Sequence, residues 1–594
     1  MRIKMKNPLD LPINNKIIKK IIEKVTKLDV MKALYQAWLD DPNNQHGTDG
    51  PALLDFCLDY LDISLNINYP QNLENIPAKG PIVFVANHPL GGLDGILLTR
   101  MLLKIRPDLK VLTNEFLLTI PEFKDIFIGV DVINPNKQKH NAKGILSLSK
   151  HLANGGAALV FPASLVSEIN LKDFSVNDRQ WNPLAARLIK KHHAYCLPIY
   201  VDSFNSNAFY LSAFIHKRLR TALLARAMAA KEHSLINIYI GNIIQFDDFK
   251  HTKDTEAINE YLRLCCHSLK QDKLTGRSEK PLRKLDKIKQ DIDLVNINEQ
   301  HQQLEEYKLL EHKSMTVYCA PYEKLGSIME QIAITREHTF RAVDEGTGKE
   351  LDSDIYDPYC WHLWVWDSDK NLIVGGYRLS KVDEVIRDYG INKLHSYSLY
   401  NYDPAFINSL KHSVEVGRSF VALEYQRHPR ALDLLWKGIG RYMLNNPDYH
   451  TLFGGVSISQ QYSKIARALL AETLTLHYAA DSSISKFIHP RKPLNIQNKP
   501  WGDKLLPTLT KIPIINKLLG SIDSGKSIPI LIRHYLALNG KFITFSINES
   551  FNESLDGLIL VDLRTTPDKY LVRYLGIDGA KQFKLKWDKQ QNAA

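Results

Sequence analysis

Residues 81–95, PIVFVANHPLGGLDG, hold the reading that decides the fold of the first half of this chain. Four β-favouring residues, Ile82, Val83, Phe84 and Val85, give way to Ala86-Asn87-His88-Pro89, and Gly91-Gly92 lead to Asp94 and a further apolar run. The pattern predicts a buried strand that ends in a loop and offers an imidazole and a carboxylate to one pocket. A His oriented by an Asp is suited to deprotonating an alcohol, because the carboxylate fixes the ring tautomer and stabilises the imidazolium. The bland alternative is a Gly-rich turn with His88 bonded to backbone.

Working outward, the chain alternates. Strands are expected at 82–86, 109–113, 157–161, 195–201 and 236–241, a further segment near Ile126–Ile133, and helices at 94–104, 141–153 and 182–192. Such alternation specifies an α/β sheet with helices on its faces and active residues where strands end. Upstream, residues 16–40 carry helical apolar spacing opposite a basic face, and 51–64 another helical pattern. Downstream, 253–313 shows charged helical segments and no strand pattern. A second strand-rich unit then opens at Met315, with no internal repeat, so the two units differ.

With 594 residues the chain exceeds a single core, and two domains with connecting helices are expected. No run approaches the roughly 18 apolar residues of a membrane span, and the Lys-rich start lacks a signal peptide's apolar centre, so a cytoplasmic protein is expected. Six scattered cysteines without C-x-x-C spacing argue for reduced, buried thiols and against a zinc or other metal site. The net charge of +11 calls for an anionic partner. Residues 1–27 hold eight Lys/Arg against two acids, and 270–289 eight against three, consistent with an anionic membrane surface or with solvated helix faces. Nucleic acid is disfavoured, since no zinc-finger spacing, aromatic RNA-binding signature or helix-turn-helix is present.

At His88 and Asp94 the chain resembles the lysophospholipid and glycerolipid acyltransferases, in particular their haemolysin-like branch with its Asn-His-Pro, Gly-Gly and Asp-Gly pattern. One residue more separates His88 from Asp94 than in the wider family, and Gly91 and Gly92 can let the loop bulge. The resemblance implies His88 as base, Asp94 as its orienting acid, and Asn87, Gly91 and Gly92 as substrate contacts, with backbone amides near Gly91–Gly95 stabilising an oxyanion. It places the acceptor's polar head at Phe161, Pro162 and Ser164. There the family's glutamates are replaced by Ala163 and Leu165, and Glu168 or Arg179 is offered in their stead. Asp178-Arg179-Gln180-Trp181, Leu197-Pro198 and Asn205–Phe209 extend the resemblance over about residues 5–250. Leu211–Lys231 is a basic amphipathic segment suited to an interface.

In the second unit, Arg336-Glu337-His338-Thr339-Phe340-Arg341, Asp352–Asp357, Gly376-Tyr377-Arg378-Leu379 and Glu415-Val416-Gly417-Arg418 occur in an order similar to the ornithine N-acyltransferase branch of the acetyltransferase-like (GNAT) fold, related to acyl-homoserine-lactone synthases. Glu415, Asp354 and Asp357 are candidates to accept an amine's proton or hold its charge. Arg336, Arg341, Arg378 and Arg418 are candidates for a substrate carboxylate or a carrier's phosphopantetheine. Internal ion pairing is the alternative for each. Glu415 and Arg418 face opposite sides by strand alternation unless a bulge intervenes, and Gly417 is the candidate for it.

The combination resembles the bifunctional ornithine lipid synthases of bacteria. It implies an α/β fold class with two different domains, a glycerolipid acyltransferase-like sheet with flanking helices and a GNAT-like mixed sheet, joined by a charged helical connector. The expected boundaries are a basic helical segment at 1–50, the His/Asp domain at 51–252, the connector at 253–313, the GNAT-like domain at 314–576 and a polar tail at 577–594. The implied reaction N-acylates ornithine or another amino acid with a 3-hydroxyacyl group and then O-acylates the 3-hydroxyl. No bound cofactor is implied; acyl carrier protein, or coenzyme A, brings the acyl group. The expected location is peripheral, on the inner face of the cytoplasmic membrane. A lysophospholipid acyltransferase with an accessory domain, and a membrane-binding scaffold with inactive domains, stay open at this point.

Overall fold

The computed structural model describes residues 7–10, 13–41, 49–130, 138–169, 176–210, 223–250, 252–270, 285–290, 294–496, 499–523 and 525–591. It divides into two compact units, one of residues 1–274 with 499–508, the other of 275–498 with 509–594.

The first unit begins with α1 (Lys16–Thr26), α2 (Leu28–Asp40) and α3 (Gly50–Tyr60). Its sheet comprises β1 (Ser64–Asn68), β2 (Ile82–Ala86), β3 (Lys110–Asn114), β4 (Phe127–Val130), β5 (Ala157–Val160), β8 (Tyr195–Asp202) and β9 (Leu235–Ile240), in the order β1-β9-β8-β2-β5-β3-β4. β6 (Glu168–Ile169) and β7 (Val176–Asn177) form a separate short ribbon. All pairings in the seven-stranded sheet are parallel except β8 with β9. Every residue of β2 is fully buried, as the unbroken apolar run Ile82–Ala86 requires of a strand covered on both faces. α4 (Gly92–Leu103), α5 (Gln138–Ala153) and α6 (Leu184–His192) follow β2, β4 and the β6–β7 ribbon. α2 belongs to this core: Met31, Leu34, Tyr35 and Trp38 are buried, and Tyr35 and Trp38 both donate to the buried Glu122.

Three expectations need correction. The helix expected over 51–64 stops at Tyr60, and Ser64 already pairs in β1. Of the charged segments expected to be helical over 253–313, Thr255–Ser268 is the last helix of the first unit, as expected, with Ile258, Leu262 and Cys266 buried, whereas β10 (Lys308–His312) is an edge strand of the second sheet. Its charged ends hid it, since Lys and Glu are what an exposed sheet edge tolerates. The polar tail expected at 577–594 is instead the end of a helix running to Gln591 after a kink at Gly576, with Phe583 and Trp587 buried.

The second unit's main sheet runs β10-β11-β12-β13-β15-β16-β19-β18, with β11 (Met315–Pro321), β12 (Trp361–Asp367), β13 (Leu372–Lys381), β15 (Ser413–Val421), β16 (Thr451–Ile458), β18 (Lys541–Asn548) and β19 (Ser554–Asp562). β14 (Tyr400–Tyr402) and β17 (Ile488–Pro490) pair apart from it. Neighbours are antiparallel except β15 and β16, which pair in parallel only from Ser413 to Glu415 against Thr451 to Phe453. Beyond that point they no longer bond. On its other edge β15 bulges against β13: Arg378 faces Gly417 and Gly376 faces Phe420, so three steps on β15 match two on β13. Arg418 carries the left-handed backbone of this bulge at φ 47°. An extra residue bends a strand and re-aims its side chains, and here it opens a wedge in the middle of the sheet.

Candidate active sites

The first site lies where β2 ends and α4 begins. His88 Nδ1 stands 3.1 Å from Asp94 Oδ2, so the longer spacer does bring the two together. Gly91 makes this possible at φ 80°, and a Cβ there would press on Leu224 at 2.6 Å and Val166 at 3.1 Å. Asp94 is fully buried; its Oδ2 also accepts the amides of Leu90 and Gly91 at 2.9 and 3.0 Å. Burial pushes its carboxyl above the ordinary range, against the pull of His88 and those amides. The Gly91 amide, offered for an oxyanion, is thus spent on Asp94. His88 keeps partial exposure, and its ring lies 4.5 Å from that of Phe161.

A residue outside the expected set holds this loop. Asp178, which is buried, accepts the His88 amide at 3.2 Å, the Ser167 hydroxyl at 2.6 Å and the Trp181 indole at 3.0 Å, while Ser167 N donates to the His88 carbonyl. Burial would raise its carboxyl, but His267, Ser167 and Trp181 outweigh that and bring it down to about 2. The sequence marked the Asp178–Trp181 block, but not that one carboxylate gathers three donors. Asn87, expected at substrate, is buried and bridges strands instead: its carboxamide donates to the Val201 carbonyl and accepts the Val201 amide. Ser164 occupies the family's Gly position with a Gly-like φ of 60°, and Asn182 donates to its hydroxyl and to the Pro162 carbonyl. Glu168 and Arg179 pair with each other, both partly exposed. Gly92 is the first residue of α4, beside the His88 loop.

The second site is the wedge between β15 and β16, a cavity open to solvent. Arg378, His395, Glu415, Arg418, Ser457, Asn548, Tyr535 and Asp556 are among its lining. The bulge does what alternation alone would not, placing Glu415 and Arg418 on one cavity; the extra residue is at Arg418–Ser419 and not at Gly417. Glu415 is buried and accepts the amides of Ser396 and His395 at 2.7 and 3.1 Å; burial lifts its carboxyl. His395 is pushed down to about 3 by burial and by Arg378 and Arg418, so it stands neutral.

The arginines and aspartates expected to meet substrate are largely engaged with one another. Arg378 Nη1 bonds Asp354 at 2.6 Å and Asp357 at 3.1 Å, Arg418 Nη2 bonds Asp354 at 3.0 Å, and Arg336 grips Asp357 with both terminal nitrogens at 3.1 and 3.0 Å and approaches Asp352 at 3.3 Å. Asp357 is buried and Asp354 partly so, yet these guanidiniums hold both far below the usual carboxylate range. Arg336 and Arg341 do not line the cavity; Arg341 pairs with Glu337 at 2.7 Å. Arg378 and Arg418 do line it, and keep Nη2 and Nε respectively without a hydrogen-bond partner. Two acids beside it, Asp556 and Glu345, were not anticipated, because they lie 211 positions apart in sequence and outside every motif. Among the described residues no group of His, Cys, Asp and Glu is arranged to hold a metal ion, and all six cysteines are buried and free.

Residues 61–237 match the acyltransferase family and residues 335–437 the acetyltransferase (GNAT) domain. The chain is 31% identical over 280 residues to a glycine N(alpha)-acyltransferase of Phocaeicola vulgatus, covering 44% of this chain and 83% of that protein. It is 28% identical over 224 residues to a lyso-glycine lipid O-acyltransferase of the same organism, covering 36% and 76%. Among solved structures, the 1-acyl-sn-glycerophosphate (LPA) acyltransferase of Thermotoga maritima aligns with 45% of this chain and 85% of its own at 15% identity and a TM-score of 0.25.

Proposed function

The chain is an acyltransferase of the glycine N(alpha)-acyltransferase family, and from that premise we propose that it makes a diacylated aminolipid in two steps. The GNAT unit joins a 3-hydroxyacyl group to the α-amine of an amino acid, and the His/Asp unit esterifies the 3-hydroxyl with a second acyl group. The acceptor is a small amino acid. Glycine comes ahead of the ornithine expected from sequence, because both relatives bear glycine in their names. The donor is an acyl thioester of a carrier protein or coenzyme A; a basic chain favours an acidic carrier by steering.

What carries this reading is the presence in one chain of an imidazole–carboxylate pair suited to a hydroxyl and a carboxylate-lined wedge suited to an amine. In the first unit His88 takes the hydroxyl proton as the oxygen attacks the thioester, Asp94 holds the ring, and Asp178 fixes the loop. In the second, the amine attacks the thioester within the wedge. A peripheral seat on an anionic membrane fits α1, whose isoleucines face outward.

The test is expression in a bacterium free of aminolipids, with lipid extracts read by mass spectrometry. His88→Ala is expected to leave a mono-acylated aminolipid, and Glu415→Ala to remove both products. Undiminished diacyl aminolipid from the His88 variant overturns the first step's assignment. Wild-type extracts without any aminolipid, but with faster acylation of lysophosphatidic acid, overturn the whole reading.

A further inference from the structure

The charges around the wedge do not balance internally. Three arginines (Arg336, Arg378, Arg418) are matched by three aspartates (Asp352, Asp354, Asp357). Three further buried acids, Glu415, Asp556 and Glu345, form no ion pair among the described residues, and the neighbouring His395 is neutral. Glu415 is occupied by two backbone amides. Asp556, 5% exposed, lines the cavity from β19 and accepts from Asn548 Nδ2 at 2.9 Å and Ser554 Oγ at 2.8 Å. Glu345 is buried, and the groups that act on it, Asp556, Ser457 and Arg418, all line the same cavity. Buried acids without a cation are costly unless protonated or met by a bound positive charge.

A second observation comes from two arginines that line the same cavity. Arg378 Nη2 and Arg418 Nε are buried, lie on cavity-lining side chains and donate to nothing. The side chains are 4% and 9% exposed. The cavity therefore offers unpartnered donors that suit an anionic group beside acids without an ion pair that suit a cationic one. A molecule carrying both within a few ångströms, an α-amino acid zwitterion, satisfies the two together.

We propose that Asp556 and Glu345 form the amino-group subsite of the N-acylating unit, with the acceptor's carboxylate on Arg378 Nη2 and Arg418 Nε. Asp556 accepts a hydrogen bond from the ammonium, and the Asp556–Glu345 pair takes the proton that the ammonium must lose. The freed nitrogen lone pair then attacks the thioester carbonyl. The C–N bond forms, the C–S bond breaks, the departing thiolate takes the second N–H proton, and the acid pair returns the first to water. Burial and the neighbouring Asp556 lift Glu345 to about 8, and burial raises Asp556, so the pair can hold a proton near neutral pH. This deepens the reading above and rests on it.

The test uses the purified full chain with glycine and a 3-hydroxyacyl thioester, N-acylglycine being measured by mass spectrometry. Asp556→Asn and Glu345→Gln are each expected to lower kcat/KM for glycine at least tenfold and to leave KM for the thioester within about twofold. Because Asp556 also anchors Asn548 and Ser554, Glu345→Gln is the variant that decides if Asp556→Asn unfolds. Methylamine, which lacks the carboxylate, is expected to be acylated poorly by wild type and to lose little further on Arg378→Lys. A Glu345→Gln chain with wild-type kcat and KM for glycine overturns the subsite while leaving the two-step reading intact. A wild-type chain that acylates no amino acid overturns both.

Discussion

At the scale of single residues, Asp178 is the clearest positioning group. It touches no reacting atom in the proposed step, yet it holds the His88 amide and ties it to Ser167 and Trp181. Its folded carboxyl lies at about 2, below the roughly 3.9 of an unfolded Asp. A depressed carboxyl stabilises the fold above the unfolded value, and that stability is lost as pH falls through the folded one. The expected contribution is about 2 kcal/mol at neutral pH, fading between about pH 4 and pH 2. Asp178→Asn is expected to lower neutral-pH stability by about that amount and to flatten this acid limb, measured by urea unfolding across pH. The same variant should lower kcat for O-acylation about tenfold with N-acylation unchanged; an unchanged kcat would reduce Asp178 to a purely structural role. His88 and Asp94 were legible because both flank a strand end within seven residues. Asp178 was not, because donors from three different stretches, His88, Ser167 and Trp181, converge on it only in the fold.

At the scale of elements, the wedge depends on where β15 and β16 separate. They last pair at Glu415 with Phe453, and Gly454 follows immediately. A Cβ on Gly454 would collide with the Val416 carbonyl oxygen. Gly454→Ala is therefore expected to push β15 away at the throat of the cavity, with a loss of about 1–3 kcal/mol typical of overpacking. N-acylation should fall by at least tenfold while O-acylation by the other unit persists, both assayed on one preparation. Normal N-acylation by this variant would mean that the throat tolerates displacement. The sequence placed Glu415 and Arg418 on one strand, facing opposite sides unless a bulge intervenes, with Gly417 as its candidate. The bulge sits one residue later, where a non-glycine residue takes a left-handed backbone that its local sequence does not favour and that pairing with β13 imposes. The inner strands of the first sheet were legible from periodicity; β10 was not, since an edge strand need not show an apolar face.

At the scale of the molecule, the proposed joining of two acyl transfers in one chain would keep the lyso-lipid near its second catalyst, and a lipid product would call for contact with a membrane. No described helix is long and apolar enough to cross one. α1 offers another means. Its partly buried side carries Lys19, Glu23 and Thr26, tied down by pairs of Lys32 with Glu23 and Asp10, while Ile17, Ile18, Ile21, Ile22 and Val25 face out. Ile17 is 73% exposed, where packing of an ordinary surface helix would bury it. The periodicity of residues 16–40 revealed the apolar stripe; that it faces outward depends on ion pairs from residues distant in sequence. Exposed Lys16, Lys20, Lys24 and Lys27 adjoin the stripe, which suits anionic head groups. Replacing Ile17, Ile21 and Val25 together by Ser removes about 1 kcal/mol of interfacial burial each, so binding to vesicles containing an anionic phospholipid should weaken about 100-fold in co-sedimentation. Thermal stability should hardly move, since the side chains are exposed. Binding by wild type should also fall with added salt, because the lysines act through a screened potential. Unaltered vesicle binding by the triple variant would exclude α1 as the membrane-facing element, whereas loss of binding with retained turnover of detergent-dispersed substrate would separate membrane attachment from catalysis.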